Sequence, residues 1–551
     1  MKKYILIILS IFCFSLIKAQ VTQNVSKTVL VKNEELSEED LKTWYHKDYQ
    51  EDAIPGISLD KAYKELLTDK KGKEIIVAVI DTKLDIAHED LKDRIWVNKK
   101  EIPDNGIDDD KNGYVDDVNG WDFLGNPEGE YVKYQNLESM RVIRKYDSLF
   151  KDVSEKDLSS DNVDEYKLYR KAKTAYKKSI EREVNFGKRV NNWMVNHPKA
   201  VKTLKSFFPK EDYKKSQLDS LLVIYKKDSL ISRDIEQMKF FLKYNLTQKK
   251  IKEYKKDSEE SLAKMLNMDF QERKIIGDNP DDISDAFYGY HQVFGDVPFP
   301  HSTGVSGVLA ATRANGLGIK GISDNIKIMP VVMVATGDEH DKDVALAIRY
   351  AVNNGAKVIN MSWGKSFSLH EDWVLDAIQY AADKDVLLVT AGGNSGENID
   401  THKYYPNDHQ GGVEIVNNFI VVGASGHTLD KNLKASFSNY GKNDVDIFAP
   451  GNEMYTTNVD NKYIFSRGTS IASPIVSGVA ALIRSYYPML SAAQVKEIIL
   501  KSGASFNVEV EINSEDGESK KLVPFSELSK SGKILNAYNA LLLAEKLSKG
   551  K

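Results

Sequence analysis

Cysteine is almost absent: 551 residues contain only Cys13. Disulfides and thiolate metal sites are therefore excluded. No excess of one charge sign exists either. The 76 Lys and Arg nearly balance the 81 Asp and Glu, which argues against a nucleic-acid binder as a whole. Long apolar runs are missing except at the start, where Lys2-Lys3 precede Tyr4 to Ile17 and Lys18-Ala19-Gln20 follow. A basic start, a short apolar stretch and a small residue at the cut site are the pattern of a secretory signal peptide over 1–19. The run is short for a bilayer, and no later stretch is long enough to be a transmembrane segment. Phe12 before Cys13 fits poorly with a lipoprotein signal. The mature protein is thus expected to be exported to the periplasm, the cell surface or the medium, carrying no cysteine.

What is present reads as globular, with 41% hydrophobic and 28% charged residues. The length exceeds one ordinary core, so a large domain with an insertion is expected. After a polar N-terminal segment (20–50), Ile75-Ile76-Val77-Ala78-Val79-Ile80 is an unbroken apolar run closed by Asp81. Similar runs recur at 358–361, 386–389 and 419–422, with helical patterns such as 344–351 between them. Runs without alternation are strands covered on both faces. The fold class expected is α/β, with a mostly parallel central sheet and helices on both faces.

Residues 131–275 differ, being poor in Pro and Gly and holding 34 Lys and Arg against 22 Asp and Glu. This all-α insertion carries a balance of +12, leaving −17 on the remainder. Helical spacing is seen at Leu218, Leu221, Leu222 and Tyr225, and at Ile231, Ile235, Met238 and Leu242. Pro198 and Pro209 are expected to break it into separate helices. It is either a solvated helical hairpin or a docking arm for an anionic surface or partner.

Three residues suggest chemistry. Asp81 closes a strand, His301 opens a small-residue helix, and Ser470 follows Gly468-Thr469 at the start of another helix. A hydroxyl nucleophile needs a base, and the base needs a carboxylate to hold its tautomer. Ser470 would also have a free N–H and a helix dipole beside it, although a serine there can equally be a plain helix cap. Asn394, in Gly392-Gly393-Asn394-Ser395-Gly396, offers an amide donor for an oxyanion.

Together these segments resemble the subtilisin-like serine proteases, the subtilases. The resemblance rests on Val79-Ile80-Asp81-Thr82, on His301 with Thr303, Val305 and Gly307, on Asn394, and on Gly468-Thr469-Ser470 with Ala472 and Pro474. It covers roughly 50–125 and 276–545, so that the catalytic domain comprises 51–130 and 276–545. It implies a polypeptide substrate, an Asp81–His301–Ser470 triad with Asn394 at the oxyanion, and Ser362, Trp363, Gly364, Gly392 and Gly393 beside the substrate. The sequence departs from the family at Lys83, Ser302, Gly304 and Ile471-Ala472-Ser473. The alternative is a subtilase-fold binding scaffold with impaired catalysis.

An acidic stretch over 104–117 places Asp108, Asp110, Asn112 and Asp116 at the oxygen-donor spacings of a calcium loop. Gly113 permits the turn and the Tyr114 carbonyl is available, but Asn119 stands where a helix–loop–helix calcium site has glutamate. A structural Ca2+ is the cofactor expected; an Asp- and Asn-rich surface turn is the alternative. Asp278, Asp281 and Asp282 are weaker candidates.

Overall fold

The computed structural model describes residues 36–550 except 155, 157, 296–299 and 515–518. The expected signal peptide and the first part of the 20–50 segment lie outside the described residues. The described residues form thirteen strands. In chain order they are β1 (Ile75–Asp81), β2 (Trp121–Asp122), β3 (Ile326–Val332), β4 (Val358–Met361), β5 (Leu387–Ala391), β6 (His409–Gln410), β7 (Val413–Glu414), β8 (Phe419–Ser425), β9 (Ile447–Pro450), β10 (Met454–Asn458), β11 (Lys462–Ser466), β12 (Glu509–Asn513) and β13 (Lys520–Pro524). Seven form one sheet in the order β2-β3-β1-β4-β5-β8-β9, with every pairing parallel.

The apolar runs explain this arrangement. Successive side chains of a strand point to opposite faces. Val77 and Val79 enter one core with the Thr469–Tyr486 helix, while Ala78 and Ile80 enter another with the Asp341–Asn353 and Glu371–Asp383 helices. Both faces of β1 are therefore dry, as expected from the absence of alternation. The chain leaves central β1 for β3 on one side and β4 on the other, so the carboxyl ends of these strands border the crevice where α/β sheets bind ligands.

The Thr469–Tyr486 helix is buried on nearly every side, which fits its apolar sequence. At Gly478 an added Cβ would lie 2.7 Å from Ile322, so only glycine allows that approach. Ahead of β1, Trp44, Tyr45, Ile57 and Leu59 are fully buried in the same core as this helix. Residues 44–59 are thus part of the core, although their polar surroundings in the sequence gave no sign of it.

Within 131–275 the structure is helical from Glu138 onward, with helices Glu138–Phe150, Val163–Lys205, Lys215–Ile224, Ser229–Lys243 and Gln248–Glu260. Pro209 falls between two of them. Pro198 does not break a helix as expected: it lies inside the 43-residue Val163–Lys205 helix. Proline removes one hydrogen bond there, but fully buried Val190, Ala200 and Leu204 on either side keep the helix packed into the insertion core. The expected stripe also needs correcting, since Phe241 joins Ile235 and Met238 in that core while Leu242 is exposed. The insertion has its own core, so its apolar stripes pack helix on helix.

At its base the insertion is tied to the sheet domain by buried charge pairs. Arg273 bonds both Asp278 and Asp343, and Lys342 bonds Asp278 at 2.9 Å. This corrects Asp278 as a cation ligand, because its oxygens are already neutralised. Asp281 pairs with His370, and Asp282 accepts from Ser284. Among the described residues, no helix is long and apolar enough to cross a membrane.

Candidate active site

Asp81 ends β1 and is fully buried. Its carboxylate meets His301 Nδ1 at 2.8 and 3.0 Å across 220 residues of sequence. Asp81 also accepts from Thr82 N at 2.7 Å. His301 stands in the first turn of the Pro300–Ala310 helix, and its side chain is 39% exposed, enough for a substrate to reach it. Burial pulls its pKa down, but the Asp81 charge and hydrogen bond, with Glu339 beyond, leave it above the usual histidine range. Glu339 is itself buried, and that burial, with Asp338 nearby, pushes its carboxyl up to about 7.

Main-chain atoms of the unusual residues around His301 have partners, whereas the Ser302 hydroxyl is buried without one. Ser302 N donates to Thr82 Oγ1 at 3.2 Å, and Thr303 Oγ1 accepts from Asp85 N at 3.1 Å. The hydroxyls of Thr456 and Thr457 on β10 donate to the carbonyls of Gly304 and Thr303, both at 2.6 Å. A Cβ at Gly307 would lie 2.2 Å from Thr457 Oγ1, so the small residues let β10 lie directly on this helix. Lys83, where the family has glycine, pairs with buried Asp122 at 3.1 Å and sits over the Tyr131 ring.

Ser470 lies in the first turn of its helix after Gly468, whose φ is 145°. That angle favours glycine, and a Cβ at Gly468 would stand 2.9 Å from Ser470 Oγ and 3.6 Å from Asn394 Nδ2. Ser470 and the Asn394 amide thus border one small space. Asn394 Oδ1 accepts from Thr469 N at 2.9 Å and from Thr469 Oγ1 at 3.1 Å, which leaves its Nδ2 as the outward donor. No hydrogen bond joins His301 to Ser470 among the described residues; such contacts commonly tighten only around substrate.

The glycine loop around Asn394 is held by Asn439, which sequence reasoning missed. Asn439 donates through Nδ2 to Gly392 O and through its main-chain N to Gly393 O, and accepts from the amides of Ser395 and Glu397. Ser362 and Trp363 are buried, and their side chains serve the frame. Ser362 Oγ bonds Ser470 O at 2.8 Å and Ser473 Oγ at 2.9 Å, while Trp363 Nε1 donates to Ile80 O beside Asp81. Only their backbone is left for a substrate. The Tyr404 ring abuts both glycine segments: added Cβ atoms at Gly364 and Gly393 would meet it at 2.5 and 2.9 Å. Asn360 completes the frame by bonding Ser362 and Ser477.

The acidic loop gathers a different set from the one its spacing suggests. Asp108 and Asp110 accept from Asn112 N, and Asp108 also accepts from Gly113 N. Asn112 Oδ1 accepts from Tyr114 N, while Asp116 caps the turn at Asn105 and Gly106 and stands apart. The carboxylates whose oxygens lie within 4.8 Å of one another are Glu101, Asp110 and Asp117. Glu101 Oε2 is buried without a hydrogen-bond partner. Asp117 accepts from Asn98, Asn112 and Tyr350, and burial pushes it up to about 6. Glu101 and Asp117 were illegible because they join through the loop's closure rather than through a short-range spacing.

A subtilase family model matches residues 234–523, just over half of the chain, including His301, Asn394 and Ser470. The thermophilic serine proteinase of Bacillus sp. (strain AK1) is 38% identical over 187 residues, covering 34% of this chain and 42% of its own. The cell wall-associated protease of Bacillus subtilis (strain 168) is 34% identical over 223 residues, 40% of this chain and 23% of its own. The chain therefore spans less than half the length of these two curated relatives. Among solved structures, proteases from Pseudoalteromonas arctica PAMC 21717 match with 27% identity, 44% of this chain, 70% of theirs and a TM-score of 0.36. With Asp81 and His301 in contact beneath the matched segment, the conclusion is that the chain belongs to the subtilase family.

Proposed function

We propose that this protein is an exported serine endopeptidase. The observation that carries the reading is the Asp81–His301 pair at the carboxyl end of β1. Asp81 accepts the Nδ1 proton, so Nε2 keeps the lone pair a general base requires. Ser470 Oγ gives its proton to Nε2 as it attacks the substrate carbonyl. The oxyanion that forms accepts from Asn394 Nδ2 and the Ser470 N–H, with the helix dipole adding to both. His301 then gives the proton to the leaving amine, and water releases the acyl group by the same base. Export is supported by the pattern of Lys2 to Gln20 and by the cell-wall association in one relative's name.

Reaction with a fluorophosphonate probe tests this directly. The folded mature protein should be labelled at Ser470, read by mass spectrometry of the modified peptide. A folded protein that takes no label is instead a binding scaffold.

We also propose that Glu101, Asp110 and Asp117 hold a structural Ca2+. All the donors are oxygens, as calcium prefers, and Glu101 Oε2 is a buried oxygen in want of a partner. The ion would clamp the 98–117 loop to Tyr350 on the Asp341–Asn353 helix. Chelation should lower the melting temperature by several degrees. In Asp110→Ala the chelator should have no further effect; an unchanged wild-type melting temperature with chelator overturns the site.

A further inference from the structure

A cleft of about 530 Å³ lies between the Val163–Lys205 helix of the insertion and the loops of the sheet domain beside Asn394. The insertion contributes Arg170, Lys171 and Lys178, and the opposite wall contributes His402, Lys403 and one carboxylate, Glu397. Lys171 and Lys178 are seven residues apart and so share one helix face, with Arg170 a quarter turn away. Lys171 and Lys178 form no ion pair among the described residues, and Lys403 reaches Glu371 only at 3.9 Å. Packing around Lys171 and the Lys403 charge both hold its ammonium below the usual lysine range. Its stem runs to the Phe367 ring, 5.1 Å from Nζ.

This wall is continuous with the proposed site. Ser395, next to Asn394, lines the cleft, as does Asn439, which holds Gly392 and Gly393. Tyr404, wedged against Gly364 and Gly393, lines it too. A chain lying along those glycines is therefore carried past a concave surface where cations outnumber anions. Like charges facing each other are costly until an opposite charge enters between them.

We propose that this cleft is a substrate subsite for an acidic side chain, with Lys171, Lys178 and Lys403 as the residues that select it. The inference rests on the protease reading and gives the basic insertion its task. It is a wall of the substrate cleft, and the anion it binds is a carboxylate of the polypeptide being cut. A solvated arm would have no reason to set Lys171 and Lys178 along a wall of that cleft.

The test uses internally quenched peptides in which one Glu is moved position by position on either side of the scissile bond, each paired with its Gln twin. At one position the Glu peptide should have roughly three- to tenfold the kcat/KM of its twin, and the ratio should fall toward one in about 1 M salt. Lys171→Glu/Lys178→Glu, checked for folding by its melting temperature, should reverse the preference. A ratio of one at every position overturns the proposal, as does a preference that survives the double reversal. Binding of the same peptides to Ser470→Ala, read by fluorescence anisotropy, separates the two readings. Equal binding of Glu and Gln twins sinks the subsite alone, whereas selective binding by a protein that neither cleaves nor labels sinks the protease reading alone.

Discussion

Replacing Ser470 by alanine should lower kcat for peptide cleavage by roughly 10⁶-fold while leaving the protein folded. Ser470 is only half-buried, and its Oγ makes no hydrogen bond among the described residues, so its removal orphans no buried partner. Stability should change by no more than about 0.5 kcal/mol. The contrast with its neighbours is sharp, because Ser473 and Ser477 are fully buried and bonded to Ser362 and Asn360. A stopped-assay comparison of kcat, with thermal unfolding as the control, checks the prediction. Activity retained within tenfold of wild type would show that another group attacks the carbonyl.

Asp81→Asn should cost roughly 10⁴-fold in kcat, less than loss of the nucleophile but more than loss of any single oxyanion donor. The asparagine fits the space, yet its amide N–H would face His301 Nδ1 and turn the proton to Nε2, where the lone pair is needed. The pH profile gives a second readout. Catalysis needs neutral His301, and its folded pKa is raised, so activity is lost as pH falls through a midpoint above 6.5. In Asp81→Asn the raising charge is gone and burial remains, so the acid limb should move to lower pH. A limb that does not move would place the titrating group elsewhere, with buried Glu339 the next candidate.

Much of the frame was legible from local pattern. Ile75–Asp81 reads as a buried strand because six apolar residues in a row cannot share one face with water, and β1 does lie between two cores. His301 and Ser470 stand in first turns because small residues and a glycine precede or follow them closely in sequence. The failures had equally specific causes. Pro198 looked like a helix break, but local propensity yielded to buried neighbours on both sides. Asp116 had the spacing of a ligand, but the backbone amides of Asn105 and Gly106 claimed its oxygens. Lys83 remains a departure from the family, and only the fold showed that Asp122, 39 residues later, supplies its counter-charge.

The sequence by itself determined the parallel sheet, the helical insertion and the three segments that carry Asp81, His301 and Ser470. Each of these follows from periodicity or turn chemistry within about ten residues, which is the range over which backbone geometry constrains neighbours. Only the tertiary structure decided that Asp81 touches His301, that Asn439 grips the Asn394 loop, and that Glu101 and Asp117 gather beside Asp110. It alone set Lys171 and Lys178 across from Lys403. Those contacts join residues from 7 to more than 200 positions apart, and side chains meet at such distances only when the whole core has closed around them.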